Sequence, residues 1–259
     1  MGCCELSSGF ESMENTSYVA LSREAALWRQ MAVVANNMAN ANTPGFKAEQ
    51  VMFTSYLAKS KSDASPFGRK LAFVQDIGTL HDTREGPLSQ TGDPLDIAIH
   101  GPGYYTVDTP AGPRYTRDGH FQLDSNGMVV TSAGYPLLQG NGNPIVVAPG
   151  ESGITVAGDG TISTENGQIG QIQVVNFANE QQLQPLGDGT FTTTQSPQPL
   201  AHANVVQGML EDSNVQPVGE MTNMLNILRN YEGVMNMIQS EHDRQMKAVD
   251  TLSGAQAQA

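Results

Sequence analysis

The sequence predicts an α+β protein in which helices at both ends of the chain flank an inserted, antiparallel all-β domain. Apolar residues recur at helical spacing near both ends, whereas the middle of the chain alternates short β-favouring runs with turn dipeptides. A long apolar stripe on a helix needs a partner surface. We therefore expect the N- and C-terminal helices to pair as a coiled-coil stalk that carries the β domain.

The first helical pattern runs from about residue 18 to residue 42. Its apolar stripe consists of Ala20, Leu27, Met31, Val34, Met38 and Ala41. The segment Thr43-Pro44-Gly45 should end this helix, because proline cannot continue it and glycine accepts a left-handed turn.

Two features at the end of this helix allow two interpretations each. The amides of Asn36, Asn37, Asn40 and Asn42 either cross-link neighbouring helices or cap the helix end locally. Phe46, after Gly45, either contacts a neighbouring molecule or folds back onto its own helix.

The second helical pattern lies near the C-terminal end. Steps of three and four residues select Met221, Met224, Leu228, Tyr231, Met235, Ile238, His242, Gln245, Val249 and Leu252. This is a heptad pattern, and the helix would be about 50 Å long at 1.5 Å per residue. The methionines on it fit an apolar contact surface better than a metal site, because no cysteine or histidine accompanies them at ligand spacing.

The middle of the chain reads as antiparallel β structure. β-favouring runs occupy residues 95–99, 104–107, 128–131, 145–147 and 172–175. Asn or Asp precedes Gly at 118–119, 126–127, 141–142, 159–160, 166–167 and 188–189, and such dipeptides favour tight hairpin turns.

These patterns divide the chain into six ranges. We expect an extension without defined structure at 1–12, followed from Met13 by the N-terminal helix and its signature at 13–57. An exposed linker at 58–70 precedes the all-β domain at 71–206. A C-terminal coiled-coil helix at 207–252 and a disordered tail at 253–259 complete the prediction.

Composition excludes several classes of function. The net charge is −13 with no run of basic residues, which argues against nucleic-acid binding. No apolar stretch approaches the roughly 20 residues of a membrane span, and no basic segment precedes an apolar one as in a cleavable signal peptide. The five histidines lack metal-site spacing, and Gly101-Pro102-Gly103 lacks the third glycine of a dinucleotide loop. We therefore expect neither cofactor nor metal, and no catalytic activity.

Five ordered segments carry a resemblance to a known family. They are residues 35–47 (ANNMANANTPGFK), 95–105 (LDIAIHGPGYY), 115–121 (YTRDGHF), 130–134 (VTSAG) and 206–215 (VQGMLEDSNV). Together they resemble the signature segments of the flagellar rod and hook axial proteins. The opening residues 14–19 and the segment 186–194 are most similar to the proximal-rod type.

The resemblance implies a structural subunit of the bacterial flagellar basal-body rod, which spans the periplasm and transmits torque. It also implies export through the flagellar type III apparatus without a cleavable signal, and packing of the terminal helices against other rod subunits, including copies of this chain. The expected interface residues are Leu27, Met31, Val34, Asn37, Met38, Asn40, Asn42, Gly45, Phe46, Met221, Met224, Leu228, Tyr231, Met235, Ile238, Val249 and Leu252. The alternatives are a distal-rod or hook-like subunit and, from another class, a secreted β-rich carbohydrate-active protein.

Overall fold

Two long helices begin and end the described part of the chain. The computed structural model describes residues 5–59, 70–151, 153–200 and 203–256. Helix α1 spans Glu5–Ala39 and α2 spans Pro217–Gln256. Proline suits the first position of α2, because the amide hydrogen it lacks would have no partner inside the helix.

Seventeen strands lie between the helices in the described ranges. Their bounds are β1 Glu49–Lys59, β2 Lys70–His81, β3 Leu88–Gln90, β4 Ile97–Ile99, β5 Tyr104–Thr109, β6 Gly112–Thr116, β7 Phe121–Leu123, β8 Val129–Thr131, β9 Thr155–Val156, β10 Thr161–Thr164, β11 Gly167–Gln171, β12 Val174–Asn176, β13 Gln184–Pro185, β14 Thr190–Thr192, β15 Gln198–Pro199, β16 Val205–Gln207 and β17 Met209–Glu211. A short 3-10 helix, Glu180–Gln182, precedes β13. The α+β class with an antiparallel β domain is therefore confirmed.

The strands form small sheets, and the pairs among β3 to β17 are antiparallel. The largest has six strands in the order β13-β14-β6-β5-β12-β15, and a second has the order β11-β10-β9. Four two-stranded sheets join β1 to β2, β16 to β4, β17 to β3 and β7 to β8. The pairs β16–β4 and β17–β3 bring residues after 204 back to the beginning of the β domain.

Most of the predicted turn glycines adopt the left-handed conformation, and Gly119 is the exception. Its backbone approaches β4 so closely that a Cβ atom would stand 1.9 Å from the Ile97 carbonyl oxygen. Glycine is thus required at position 119 for close contact rather than for a positive φ.

The chain divides into two compact units. The helix unit contains α1 up to Met38, the paired strands β1 and β2, and α2, whereas the β unit contains Ala39–Ala48 and His81–Gln216. The main core of the β unit is aliphatic with Tyr105 and Phe121 in edge-to-face contact at 5.2 Å. A second core gathers Tyr104, Tyr115, Val175, Phe177, Leu183 and Phe191.

Several element bounds differ from those expected. Residues 5–12 continue α1, because extending an existing helix requires no new nucleation. Strand β1 occupies a range for which no strand was predicted, and α2 begins at Pro217 rather than at residue 207, because residues 209–211 pair with β3. At the other end α2 continues to Gln256, into the range expected to be a tail. Most of the predicted linker, residues 60–69, lies outside the described residues, as do residues 1–4.

The boundaries of the β unit predict how fragments will behave. A fragment of residues 39–216 contains every segment of this unit, whereas 71–206 lacks β17 and the segment 39–48. We expect 39–216 to unfold in one cooperative thermal transition and 71–206 to melt at a clearly lower temperature or without cooperativity. Circular dichroism of both fragments tests this, and equal melting temperatures would contradict it.

Candidate assembly faces and a buried charge cluster

Helices α1 and α2 pack against each other through one face each. Ala20, Leu27 and Val34 of α1 and Ile227 and Val234 of α2 form a buried cluster. Met31, Met224, Tyr231 and Ile238 are half-buried around it. The edge of Trp28 meets Tyr231 at 6.2 Å between ring centroids, and the Tyr231 hydroxyl donates to Glu24 Oε1 at 3.4 Å.

The contacting positions repeat every three or four residues on both helices. We call them the inner faces: Ala20, Glu24, Leu27, Met31 and Val34 on α1, and Met224, Ile227, Tyr231, Val234 and Ile238 on α2. Each set follows the 3.5-residue repeat that keeps a stripe facing one partner along a helix.

Each helix also carries a second apolar stripe, which is exposed. The outer face of α1 consists of Tyr18, Leu21, Ala25, Trp28, Ala32 and Ala35. The outer face of α2 consists of Val218, Met221, Leu225, Leu228, Met235, Met246 and Val249. Isolated exposed apolar side chains are ordinary, but contiguous stripes of them mark interaction surfaces.

The predicted C-terminal stripe is divided between these two faces. Met224, Tyr231 and Ile238 belong to the inner face, whereas Met221, Leu228, Met235 and Val249 are exposed on the outer face. The side chain of Leu252 lies outside the described residues. The predicted stripe combined residues from two different heptad positions. Only the residues at one of these positions pack against α1.

The N-terminal interface candidates occupy varied environments. Leu27 and Val34 are buried and Met31 and Met38 are half-buried, as are Asn40 and Phe46. Asn42 is exposed. Asn40 Oδ1 accepts a hydrogen bond from Thr43 Oγ1 at 3.2 Å, which is a local cap at the end of α1.

The amide of Asn37 is used within the chain. This side chain is buried, its Nδ2 donates to the Glu49 carbonyl at 2.8 Å, and its Oδ1 accepts from the Glu49 amide at 2.9 Å. Asn37 therefore ties α1 to the first residue of β1.

Gly45 is buried within the β unit. Its φ is +68°, its amide donates to the Glu211 carbonyl at 2.7 Å, and a Cβ atom would stand 2.5 Å from the Arg117 carbonyl carbon. Both the backbone conformation and the close contact require glycine here.

A buried carboxylate organises this part of the β unit. Glu211 Oε1 accepts from Lys47 Nζ at 2.6 Å and from the Gly86 amide at 3.0 Å, and Oε2 accepts from Arg117 Nε at 2.6 Å. Lys47, Arg117 and Glu211 are all at least nine-tenths buried. Burial lowers the pKa of the Lys47 ammonium, while its contacts with Glu211 act in the opposite direction.

The Arg117 guanidinium is saturated with acceptors. Besides Glu211 it donates to the carbonyls of Gly101, at 2.6 Å, and Gly103. Glu85 Oε1 lies 4.0 Å from it, so two cations and two carboxylates balance in formal charge. Such compensation is what permits charges to stay buried.

Sequence reasoning did not find this cluster. Its members stand 164 residues apart for Lys47 and Glu211 and 94 apart for Arg117 and Glu211. The available signal was their position: each lies inside one of the signature segments, 35–47, 115–121 and 206–215. These three segments are otherwise mostly uncharged. A charged residue in each of them is therefore the pattern that a shared buried ion pair would produce.

A second ionic contact lies in the β unit between His120 and Asp96. His120 Nδ1 is 2.6 Å from Asp96 Oδ1. This hydrogen bond raises the pKa of His120 above its ordinary 6.5, although partial burial opposes the shift. Asp118 and Asp93 also favour the protonated ring.

Neither metal chemistry nor a membrane span is indicated in the described part of the chain. Those residues contain no group of three or more His, Cys, Asp or Glu side chains placed to hold a metal ion. Within the same ranges, neither helix is long and apolar enough to cross a membrane.

Three family profiles match successive parts of the chain. Residues 18–47 match the profile described as flagella basal body rod protein. Residues 98–164 match the flagellar hook protein FlgE/F/G D1 domain, and residues 206–251 match the flagellar basal body rod FlgEFG protein C-terminal profile.

Individual relatives align over most of the chain. It is 40% identical over 245 residues to the flagellar basal-body rod protein FlgF of Caulobacter vibrioides, covering 93% of this chain and 98% of the relative. It is 33% identical to FlgF of Rhizobium meliloti, covering 94% and 100%. With the rod protein FlgG of Buchnera aphidicola (subsp. Schizaphis graminum) it shares 35% identity, covering 78% of this chain and 86% of the relative.

The buried cluster predicts a large cost for removing its carboxylate. Glu211→Gln leaves Lys47 and Arg117 buried without a full counter-charge, and we expect the free energy of unfolding to fall by about 3–5 kcal/mol. Asp188→Asn is the control, because its contact with Arg114 is partly exposed and contributes about 1 kcal/mol or less. Urea denaturation measures both variants, and equal losses would contradict the prediction.

The His120–Asp96 contact predicts a pH dependence. Because the folded pKa of His120 is raised, its stabilising contribution is complete below about pH 6.5 and is lost as the pH rises through the folded pKa. We expect a change of less than about 1 kcal/mol, since the ring is half exposed. The difference in unfolding free energy between the wild type and His120→Gln should therefore shrink as the pH rises from about 6.5 through the folded pKa. A stability difference for His120→Gln that does not change with pH would contradict the prediction.

Proposed function

The chain belongs to the flagellar basal-body rod protein family and is a structural subunit of that rod; from this premise we propose that it is a proximal-rod subunit joined to its neighbours by the outer faces of its helices. Its function is structural rather than enzymatic, as it is for the rod proteins to which it is similar. The relatives named FlgF cover 93–94% of the chain and those named FlgG cover 78–87%, which favours the proximal type over a distal-rod or hook-like subunit.

The observation that carries this proposal is the second apolar stripe on each helix. The inner faces are already occupied by each other, so the outer faces are available to other molecules. Large side chains such as Leu21 and Trp28 on α1 and Leu225 and Leu228 on α2 remain in solvent in the single chain. Burying them against helices of adjacent subunits would provide the main favourable free energy of assembly.

We propose that the inner faces pair as an antiparallel coiled coil within each subunit. The three- and four-residue steps on both helices support this arrangement, as does the placement of Tyr231 beside Glu24 and Trp28. Assembly would then join preformed helix pairs.

Contacts between different faces of adjacent subunits extend a structure instead of closing it. When such a head-to-tail contact does not close a ring, it generates a helical tube. In this proposal, copies of the chain and other rod subunits form that tube, which transmits torque. The subunit reaches it through the flagellar type III export apparatus without a cleaved signal.

Residues 227 and 228 provide a matched test, because they are adjacent in α2 and face different partners. Leu228 is 38% exposed and Ile227 is buried against α1. We expect Leu228→Asp to keep the monomer's melting temperature but to prevent rod assembly and motility, because a charge would be buried between subunits. Ile227→Asp should lower the stability of the monomer by about 3 kcal/mol or more.

Ser240→Asp serves as the control, because its position belongs to neither face. Basal bodies are counted by electron microscopy at matched subunit levels, and purified monomers are melted in parallel. Normal rods from Leu228→Asp would contradict the proposed interface.

A further inference from the structure

The helix unit contains a cleft bounded by α1, α2 and the beginning of β1. Its volume is about 440 Å³, within the range of roughly 300–1,000 Å³ typical of binding pockets. Six carboxamide side chains line it: Gln30, Asn37, Gln50, Asn223, Asn226 and Asn230. Glu49, Glu220 and aliphatic residues complete the walls.

One end of the cleft already shows a strand-like pairing. The Asn37 carboxamide both donates to and accepts from the backbone of Glu49, as a residue of an adjacent strand would. In the described residues β1 pairs with β2 alone, and at Glu49 its other edge is bound by the Asn37 side chain.

The same edge continues into the cleft. The amide and carbonyl of one strand residue point to the same side, and successive residues alternate between sides. The backbone amide and carbonyl of Glu49 point toward Asn37, so those of Val51 point to the same side. Val51 also lines the cleft. An unpaired strand edge is a template for another strand.

We propose that this cleft binds an extended segment of a neighbouring rod subunit, which pairs through its backbone with β1 at Val51. The inference rests on the proposed function for the identity of the partner. It adds a strand-pairing contact to the helix contacts proposed above.

The lining chemistry favours a polypeptide backbone. A carboxamide donates and accepts hydrogen bonds as a peptide group does, and six of them surround the edge of β1. None of the lining residues that the structure describes is cationic and two are carboxylates, so an anionic ligand would be repelled.

The position of the cleft favours a rod subunit as the source of that segment. Glu220, Asn223 and Asn226 lie on the same turns of α2 as Met221, Leu225 and Leu228 of the outer face. A subunit seated on the outer face would therefore stand beside the cleft.

Proline at position 51 tests the pairing. Val51→Pro removes the amide donor that faces the cleft and leaves the donors that face β2, and proline is tolerated on strand edges. Val51→Ala is the matched control, because it shortens the side chain and keeps the donor. We expect Val51→Pro to lower the incorporation of subunits into rods by about fivefold, the effect of one net backbone hydrogen bond, and Val51→Ala to assemble normally.

A photo-crosslinker identifies the occupant without disturbing β1. With p-benzoylphenylalanine at Asn226 in assembled rods, mass spectrometry should find cross-links to a non-helical segment of an adjacent rod subunit. Melting of both Val51 variants checks that the monomers fold. Should Val51→Pro destabilise the monomer, the cross-link alone decides.

Three results would overturn the proposal: normal incorporation of folded Val51→Pro, cross-links only to helices, or no cross-link to protein. Each would leave the rod function intact, because that function is tested separately by Leu228→Asp. Conversely, normal rods from Leu228→Asp together with a strand cross-link at Asn226 would refute the helix interface and retain the cleft.

Discussion

The carboxylate of Glu211 is the constraint on which the rest of the β unit depends. It holds the Lys47 ammonium and the Arg117 guanidinium in a region closed to solvent, and Arg117 in turn binds the carbonyls of the Gly101–Gly103 turn. Removing any one charge would leave another without compensation, so the segments that carry them must assemble together. The glycine at position 45 belongs to the same constraint, because its amide binds the Glu211 carbonyl and its missing side chain leaves room for Arg117.

This arrangement gives a physical reason why signature segments that are far apart in sequence belong together. Segments 35–47, 95–105, 115–121 and 206–215 each supply a charge or a carbonyl to the cluster. They therefore describe one structural site, not separate binding motifs. A buried ion pair is often no more stabilising than an apolar replacement, but it is specific, because only one arrangement of the chain satisfies every charge.

The helices follow a different principle: the inner faces stabilise the single chain, and the outer faces are the surfaces that we propose for assembly. The inner faces bury aliphatic side chains and stabilise the single chain, whereas the outer faces keep Trp28, Leu225 and Leu228 in solvent. We therefore expect substitutions at adjacent positions of α2 to have different effects: a change at position 227 lowers the stability of the monomer, and a change at position 228 impairs assembly. Three methionines on the outer face of α2, Met221, Met235 and Met246, would suit contact with helices of more than one kind, because their flexible side chains adapt to irregular surfaces.

The local patterns of the sequence determined the fold class, both helices and most of the hairpin turns, because helical periodicity and Asn-Gly or Asp-Gly turns act between residues close in the chain. Its signature segments were sufficient to predict the rod family, and the apolar stripes to predict that the helices need partners. The tertiary structure alone decided that Met224 and Tyr231 face α1 while Met221 and Leu228 do not, because a stripe does not reveal which side its partner occupies. It alone revealed the strand β1, the Asn37–Glu49 pairing and the cluster of Lys47, Arg117 and Glu211, because these contacts join residues that only the folded chain brings together.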